Sequence, residues 1–375
     1  MHISGFGSLL EIEKIITYYS PSNILLVTGK RSFKSSGVKK KIDDCLNGYK
    51  KVYFRDFETN PKLEDAIIGA KLAEKNSIDL ILSIGGGSVI DMAKLIKAFY
   101  GKTNRSKKII YGQDHISNNS IPLVAIPTTA GSGSESTHFA VVYLNNEKFS
   151  LADMSLLPSS TILDGSLCIS ASKYQKACNV LDALSQSIES AWAVNASSQS
   201  RNFAYRALEI CTEVSKNFVN EDSSFDYCQQ MIEASNLAGK AINISKTTSA
   251  HAWSYGFSTK YNIPHGHAVW LTLPKIFKIH CLSDFKKMHD ENMFQQHKKV
   301  MKKIKEILSI KSNEEIENYF YNFLKSLGID KITIDDFHLS SSQKIDLSKA
   351  VNIERMKNNP IIFSEKDVQE IFMLN

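Results

Sequence analysis

The sequence predicts a doubly wound, parallel-sheet α/β domain over residues 1–170 and an all-α domain over residues 171–375. Three observations predict it. Short β-type runs alternate with helical stretches through the first part, the pattern of a parallel sheet covered by helices. Two polar, glycine-bearing segments, 83–94 and 126–135, each follow one of these runs. Beyond residue 170 helical periodicity dominates and β-type runs become few and short.

The elements follow in order. Residues 23–28 read as a buried strand, and residues 38–46 as the helix after it. A second strand covers 51–54, and Pro61 suits the first position of a helix that runs to residue 75. Residues 78–84 form a third strand, 90–99 a helix, and 123–126 a fourth strand. Ser172 and Gln175 have capping-box spacing and open a helix through Trp192. No repeat or low-complexity linker separates the two parts, so the domains are expected to pack directly.

Bulk properties exclude several classes. No apolar run reaches the roughly 18 residues a membrane span needs. The first residues, Met1-His2-Ile3-Ser4-Gly5, lack the basic and apolar pattern of a secretory signal. The six cysteines are scattered without a CxxC pair, as expected of reduced thiols in a cytoplasmic protein. The net charge of +6 lies partly in lysine clusters, one of them at 298–305. Val300, Met301, Ile304, Ile307 and Leu308 fall at helical spacing there, which makes it an amphipathic helix with a solvated lysine face. No recognition motif or interleaved aromatic accompanies it, so nucleic acid is not an expected partner.

The segment Ser83-Ile84-Gly85-Gly86-Gly87-Ser88-Val89-Ile90-Asp91-Met92-Ala93-Lys94 leaves a strand and opens a helix. Glycines there let backbone N–H groups approach a phosphate, and the helix N-terminus favours negative charge. Tight turns use the same residues, and the spacing is not GxGxxG. The next strand also ends in a hydroxyl-rich loop, Thr128-Thr129-Ala130-Gly131-Ser132-Gly133-Ser134. Two such loops after neighbouring strands point to one crevice rather than to two solvated turns.

GGGSVIDMAK and PTTAGSGSE resemble the two signature segments of the iron-containing alcohol dehydrogenase family, with likeness running from Gly5-Phe6-Gly7 to Asn358-Asn359-Pro360. The resemblance implies a Rossmann-like dinucleotide-binding domain, a helical metal-binding domain and a cleft between them, the architecture shared with dehydroquinate synthases. It implies that Gly85, Gly86, Gly87 and Ser88, with Asp91 in the same motif, serve the cofactor's pyrophosphate. Thr128, Thr129 and Ser132 would contact its adenosine and nicotinamide portions. Lys148 is similar to a family lysine near the nicotinamide ribose. A homodimer is also implied.

Family members that prefer NAD often carry an aspartate where this chain has Gly29, and Lys30 and Arg31 follow. Those two cations suit a 2′-phosphate, so NADPH is the expected cofactor, with NADH the alternative. The bland alternative leaves both cations in solvent.

Asp182 and Gln186 share one helical face at four-residue spacing. The family pattern supplies one aspartate and three histidines to a divalent metal, Fe2+ or Zn2+. Asp182, His251 and His265 match it, whereas Gln186 stands where the first histidine is expected. An amide oxygen is a weaker ligand than an imidazole for such metals. The site therefore holds metal with altered preference, or Gln186 orients the substrate instead. A second departure is Tyr255, where many members have a proton-relay histidine. Tyr255 is a candidate proton donor or a pocket wall, and His267 a replacement relay or a neighbour of His265.

Lys246, Thr247 and Thr248 precede His251 and suit a tetrahedral anion, although the hydroxyls alone also suit a helix cap. This segment, with Gln186, is similar to phosphonoacetaldehyde reductases of the family. The expected reaction is therefore reduction of a small, anionic aldehyde, phosphonoacetaldehyde, to 2-hydroxyethylphosphonate. The alternatives are a general short-chain aldehyde reductase, a dehydroquinate synthase-like lyase, and a cofactor-binding relic without turnover.

Overall fold

The computed structural model describes residues 1–30, 33, 38–116, 121–145, 147–220 and 224–374; Arg31 lies outside them. The chain forms two compact units. The first is Met1–Ala171 with Cys228–Asn236, and the second is Ser172–Tyr227 with Leu237–Asn375.

The first unit is built on a six-stranded parallel sheet. Its strands are β1 (His2–Ser4), β2 (Asn23–Thr28), β3 (Lys50–Phe54), β4 (Leu80–Gly85), β5 (Leu123–Pro127) and β8 (Ser160–Leu163), in the order β1-β8-β5-β4-β2-β3. A short antiparallel hairpin, β6 (Phe139–Leu144) with β7 (Glu147–Ala152), stands apart from it. Helices cover both faces, which is why the inner strands are continuously apolar. Leu25, Val27, Ile81 and Leu123 face one core with α3 (Leu63–Lys75) and α4 (Gly87–Phe99), represented by Ala66, Ala70, Met92, Ile96 and Phe99. Ile24, Leu26, Leu82, Val124 and Ile126 face the other, with Ile12, Ile15 and Ile16 of α1 (Ile12–Tyr19) and Val38 and Ile42 of α2 (Val38–Cys45).

The chain runs outward from β2 to β3 and then returns to the far side of β2 to make β4. Strand order therefore reverses between β2 and β4, the switch point where such sheets bind ligands beyond their carboxyl ends. Thr28 pairs with Ile84, and Gly85 with Pro127, so Gly29, Gly85 and the 128–134 loop all leave the sheet at this level. Two local expectations shift. Pro61 lies two residues before the first residue of α3, its carbonyl accepting from Tyr143 N–H, and β4 begins at Leu80.

The second unit is helical. At its centre α5 (Lys173–Trp192) is capped by Ser172, whose hydroxyl accepts from Gln175 N–H at 3.2 Å. Almost the whole of α5 from Lys176 onward is buried, including Asp182, Ser185, Gln186, Glu189 and Ser190. Its neighbours include α6 (Ser198–Val219), α7 (Ser249–Tyr261) and α8 (His265–Trp270). Farther on, α9 (Phe294–Ile307) buries Val300, Met301 and Ile304, the apolar face that the sequence predicts, and a short helix α10 (Ile353–Lys357) follows near the C-terminus. Among the described residues, no helix is long and apolar enough to cross a membrane. All six cysteines are free, and burial pushes the Cys178 and Cys281 thiols up to about 12, where they are protonated and inert.

Candidate active site

In the first unit, α4 begins at Gly87, so its unsatisfied first-turn N–H groups lie at the switch point. The glycines are required by proximity. A Cβ on Gly86 would lie 3.2 Å from Thr129 Oγ1, and one on Gly87 would lie 2.7 Å from Ser132 Oγ. Thr128 N–H donates to Gly85 C=O at 3.0 Å, which joins the two loops. Gly85 to Ser88, Thr128, Thr129 and Ser132 thus form one partly open cradle, and Lys30 is exposed after Gly29.

Asp91 faces the protein and not the cradle's mouth: its carboxylate accepts from Ser134 Oγ at 2.6 Å and from Val141 N–H at 3.0 Å. Burial raises its pKa, while Lys94 and Lys148 oppose the rise. Lys148 lies on β7 opposite Tyr143. Lys94 is fully buried and donates to the carbonyls of Ser134, Thr137 and Phe139 at 2.6, 2.8 and 2.7 Å. It anchors the loop that carries Ser132.

The second unit gathers Asp182, His251 and His265. One ligand atom from each lies within 4.8 Å of the others. Gly266 makes this approach feasible, because a Cβ there would lie 2.0 Å from Cys178 C=O and 2.8 Å from Asp182 N. Gln186, one turn beyond Asp182, donates its amide Nε2–H to Asp182 Oδ1 at 3.0 Å. His251 Nε2 is buried, has no hydrogen-bond partner, and lies 3.6 Å from Asp182 Oδ1. A buried imidazole nitrogen left in this state beside a carboxylate fits a cation that it would ligate. Two imidazoles, a carboxylate and a nearby amide are suitable donors for Fe2+ or Zn2+.

Glu189 is the residue that the sequence reading missed. It is 0% exposed, and its carboxylate accepts from Thr248 Oγ1 at 2.8 Å, from Ala250 N–H at 2.7 Å and from His251 Nδ1. That last bond fixes the tautomer, turning His251 Nε2 toward Asp182. Burial pulls Glu189's pKa up, but His251 and the hydrogen bonds outweigh it and hold the carboxyl below its usual range. Burial likewise opposes the His251 cation, whereas Glu189 and Asp182 outweigh it and raise His251's pKa. The signal available in sequence was spacing: Glu189 lies seven residues after Asp182, on the same helical stripe.

Other expected residues take definite places. His267 has both ring nitrogens engaged, Nδ1 with Tyr174 Oη at 2.9 Å and Nε2 with Lys331 C=O at 2.6 Å, and burial lowers its pKa. This placement makes it a clamp between segments and leaves no nitrogen for a relay. Thr248 accepts from Trp192 Nε1–H at 2.8 Å and donates to Glu189, so its hydroxyl supports the cluster from behind. Lys246 forms an ion pair with exposed Glu354 at 2.5 Å. Thr247 Oγ1 accepts from Arg355, and Tyr255 Oη accepts from Arg355 Nε–H at 2.7 Å.

A glycine cradle at the switch point of a parallel sheet belongs to dinucleotide-dependent enzymes, and the helical unit's carboxylate–imidazole cluster marks those that also employ a cation. Comparison with known proteins makes the assignment specific. The model of the iron-containing alcohol dehydrogenases matches residues 2–165, and that of the family's C-terminal part matches residues 176–374. The chain belongs to the iron-containing alcohol dehydrogenase family and is an oxidoreductase acting between alcohols and aldehydes. It is 27% identical over 375 residues to long-chain-alcohol dehydrogenase 1 of Geobacillus thermodenitrificans, covering 98% of this chain and 93% of that one. Phosphonoacetaldehyde reductase of Streptomyces viridochromogenes is 27% identical, over 53% of each chain. Among solved structures, sulfoacetaldehyde reductase from Bifidobacterium kashiwanohense in complex with NAD+ has the same fold, with TM-score 0.90 at 24% identity over 100% of this chain and 96% of that one.

Proposed function

We propose that the protein is an NADPH-preferring reductase of a short anionic aldehyde, phosphonoacetaldehyde, which it converts to 2-hydroxyethylphosphonate. One NADPH and one proton are consumed per aldehyde, giving the alcohol and NADP+. The observation that carries the reading is the polar, cationic surrounding of the segment about His251, Thr247 and Tyr255 joined by Arg355, where an enzyme for uncharged aldehydes needs apolar walls. The likeness to a phosphonoacetaldehyde reductase supports it.

Asp182, His251 and His265 would hold the divalent metal, with Gln186 completing or steering the set. When bound, that cation supplies Lewis acidity toward a carbonyl oxygen. Glu189 holds His251 at Nδ1 and so orients Nε2 toward the cluster. In the first unit, N–H groups of Gly86, Gly87 and Ser88 would bind the pyrophosphate. Gly29 puts no carboxylate at the end of β2, and the exposed Lys30 offers a cation to a 2′-phosphate. Tyr255 is the candidate for delivering the proton to the product oxygen, its phenol being set by Arg355.

The experiment is NADPH consumption by metal-reconstituted protein, comparing kcat/KM for phosphonoacetaldehyde and butyraldehyde. Strong preference for the phosphonate is expected. Equal or better turnover of butyraldehyde would sink the substrate assignment and leave a general short-chain aldehyde reductase.

A further inference from the structure

We infer that Arg355 is the residue that recognises the substrate's tetrahedral anionic group. The inference rests on the anionic-aldehyde reading above and names the side chain behind it.

Four cationic or hydroxyl side chains surround the candidate position, and three are accounted for. Lys246 is held by Glu354 toward solvent. Thr248 is spent between Trp192 and Glu189. Thr247 has its hydroxyl oxygen against Arg355. Arg355 remains, and its situation differs from that of the lysine. Among the described residues, the hydrogen-bond partners of its guanidinium are two neutral hydroxyls, those of Tyr255 and Thr247; the neighbouring Glu354 acts on it only through space, its carboxylate being exposed and bonded to Lys246. The guanidinium also lies 5.7 Å from the centre of the Tyr255 ring, a cation–π contact. A half-buried guanidinium held by two hydroxyls and hydrogen-bonded to no carboxylate keeps donors for an oxyanion, and its fork matches two oxygens at once.

The location agrees. Tyr255 follows His251 by four residues on α7, so both lie on one face, separated by one turn of about 5.4 Å. Thr247, the guanidinium's other partner, adjoins Thr248, whose hydroxyl donates to Glu189, the acceptor of His251 Nδ1–H, so both partners of Arg355 belong to the segment that carries the metal-ligand histidine. A two-carbon aldehyde carrying a phosphonate or sulfonate has its anion on the carbon next to the carbonyl, so one short segment serves both ends. A long-chain aldehyde would instead bring methylenes against a half-buried guanidinium. The substrate class is a short aldehyde with a tetrahedral oxyanion on the adjacent carbon. Phosphonate and sulfonate share this chemistry, and turnover separates them.

The test compares metal-loaded wild type with Arg355→Gln and Arg355→Lys on phosphonoacetaldehyde, sulfoacetaldehyde and butyraldehyde. Arg355→Gln is expected to lower the kcat/KM ratio of the preferred anion over butyraldehyde by about a hundredfold, mainly through KM, and Arg355→Lys to recover roughly a tenth to a third of it. Whichever anion the wild type turns over better identifies the natural group. A wild type that prefers an anionic aldehyde, with Arg355→Gln keeping that preference within about threefold, overturns the role of Arg355 and leaves the substrate reading standing. A wild type indifferent to the anion overturns both. If Arg355→Gln does not fold, inhibition of the wild type decides. 2-Hydroxyethylphosphonate or isethionate should compete with butyraldehyde, more weakly at high salt and more weakly still against Arg355→Lys. Absence of competition by either anion overturns the inference.

Discussion

Replacing Glu189 with glutamine separates a supporting carboxylate from the ligands it supports. The side chain is 0% exposed and receives three donors: Thr248 Oγ1 at 2.8 Å, Ala250 N–H at 2.7 Å and His251 Nδ1. A glutamine of the same shape keeps one acceptor oxygen and presents an NH2 group where donors converge. At least one buried donor then loses its partner, at a cost of about 1–3 kcal/mol in fold stability. A second effect reaches the metal. Without an anion at Nδ1, His251 Nε2 becomes a poorer donor and its ring less firmly oriented. Such changes weaken metal affinity by about 10–100-fold, or roughly 1.4–2.8 kcal/mol. Zinc titration of the apo-protein against a chromophoric chelator measures this directly, alongside thermal unfolding of the metal-free form. A zinc Kd unchanged within about twofold in Glu189→Gln would refute the supporting role. Failure of the wild type to take up zinc or ferrous iron would refute the cluster as a metal site.

Two further predictions concern the first unit. Gly29→Asp places a carboxylate at the end of β2, at the switch point. It should lower the NADPH-over-NADH ratio of kcat/KM by about tenfold or more, and an unchanged ratio would remove Gly29 from cofactor selection. Lys94 has its pKa lowered to about 8 by burial, with Asp91 and Glu135 opposing the fall. The unfolded chain, in which lysine keeps its ordinary pKa of about 10.4, binds more protons than the folded one between that value and the lowered one. Lys94's contribution to stability therefore rises with pH across that window, by up to about 3 kcal/mol. Denaturant unfolding of wild type and Lys94→Met at both ends of the window checks the sign, and a constant difference between them would refute it.

What the sequence by itself determined was whatever is written in local periodicity and local chemistry. Continuous apolar runs such as 23–28 and 123–127 declared strands buried on both faces, and the glycine and hydroxyl loops after them marked the switch-point cradle. Four-residue spacing put Asp182 and Gln186 on one helical face, and helix α9 followed from its apolar stripe. What lay outside local pattern was decided only by tertiary structure. Strand β1 is three residues long, too short to show a period, and exists because it pairs with β8 some 160 residues later. Residues 228–236 belong to the first unit although they sit within a helix of otherwise ordinary pattern. Lys246 looked like the anion's partner, yet its charge is taken by Glu354, and His267 looked like a relay, yet the Lys331 carbonyl and Tyr174 hold it. Arg355 carried no signal at all, because it meets Tyr255 across 100 residues of chain. The common reason is physical. A side chain's charge and hydrogen-bonding capacity are fixed by its type, whereas whether they are spent internally depends on which distant segments the packed core brings beside it.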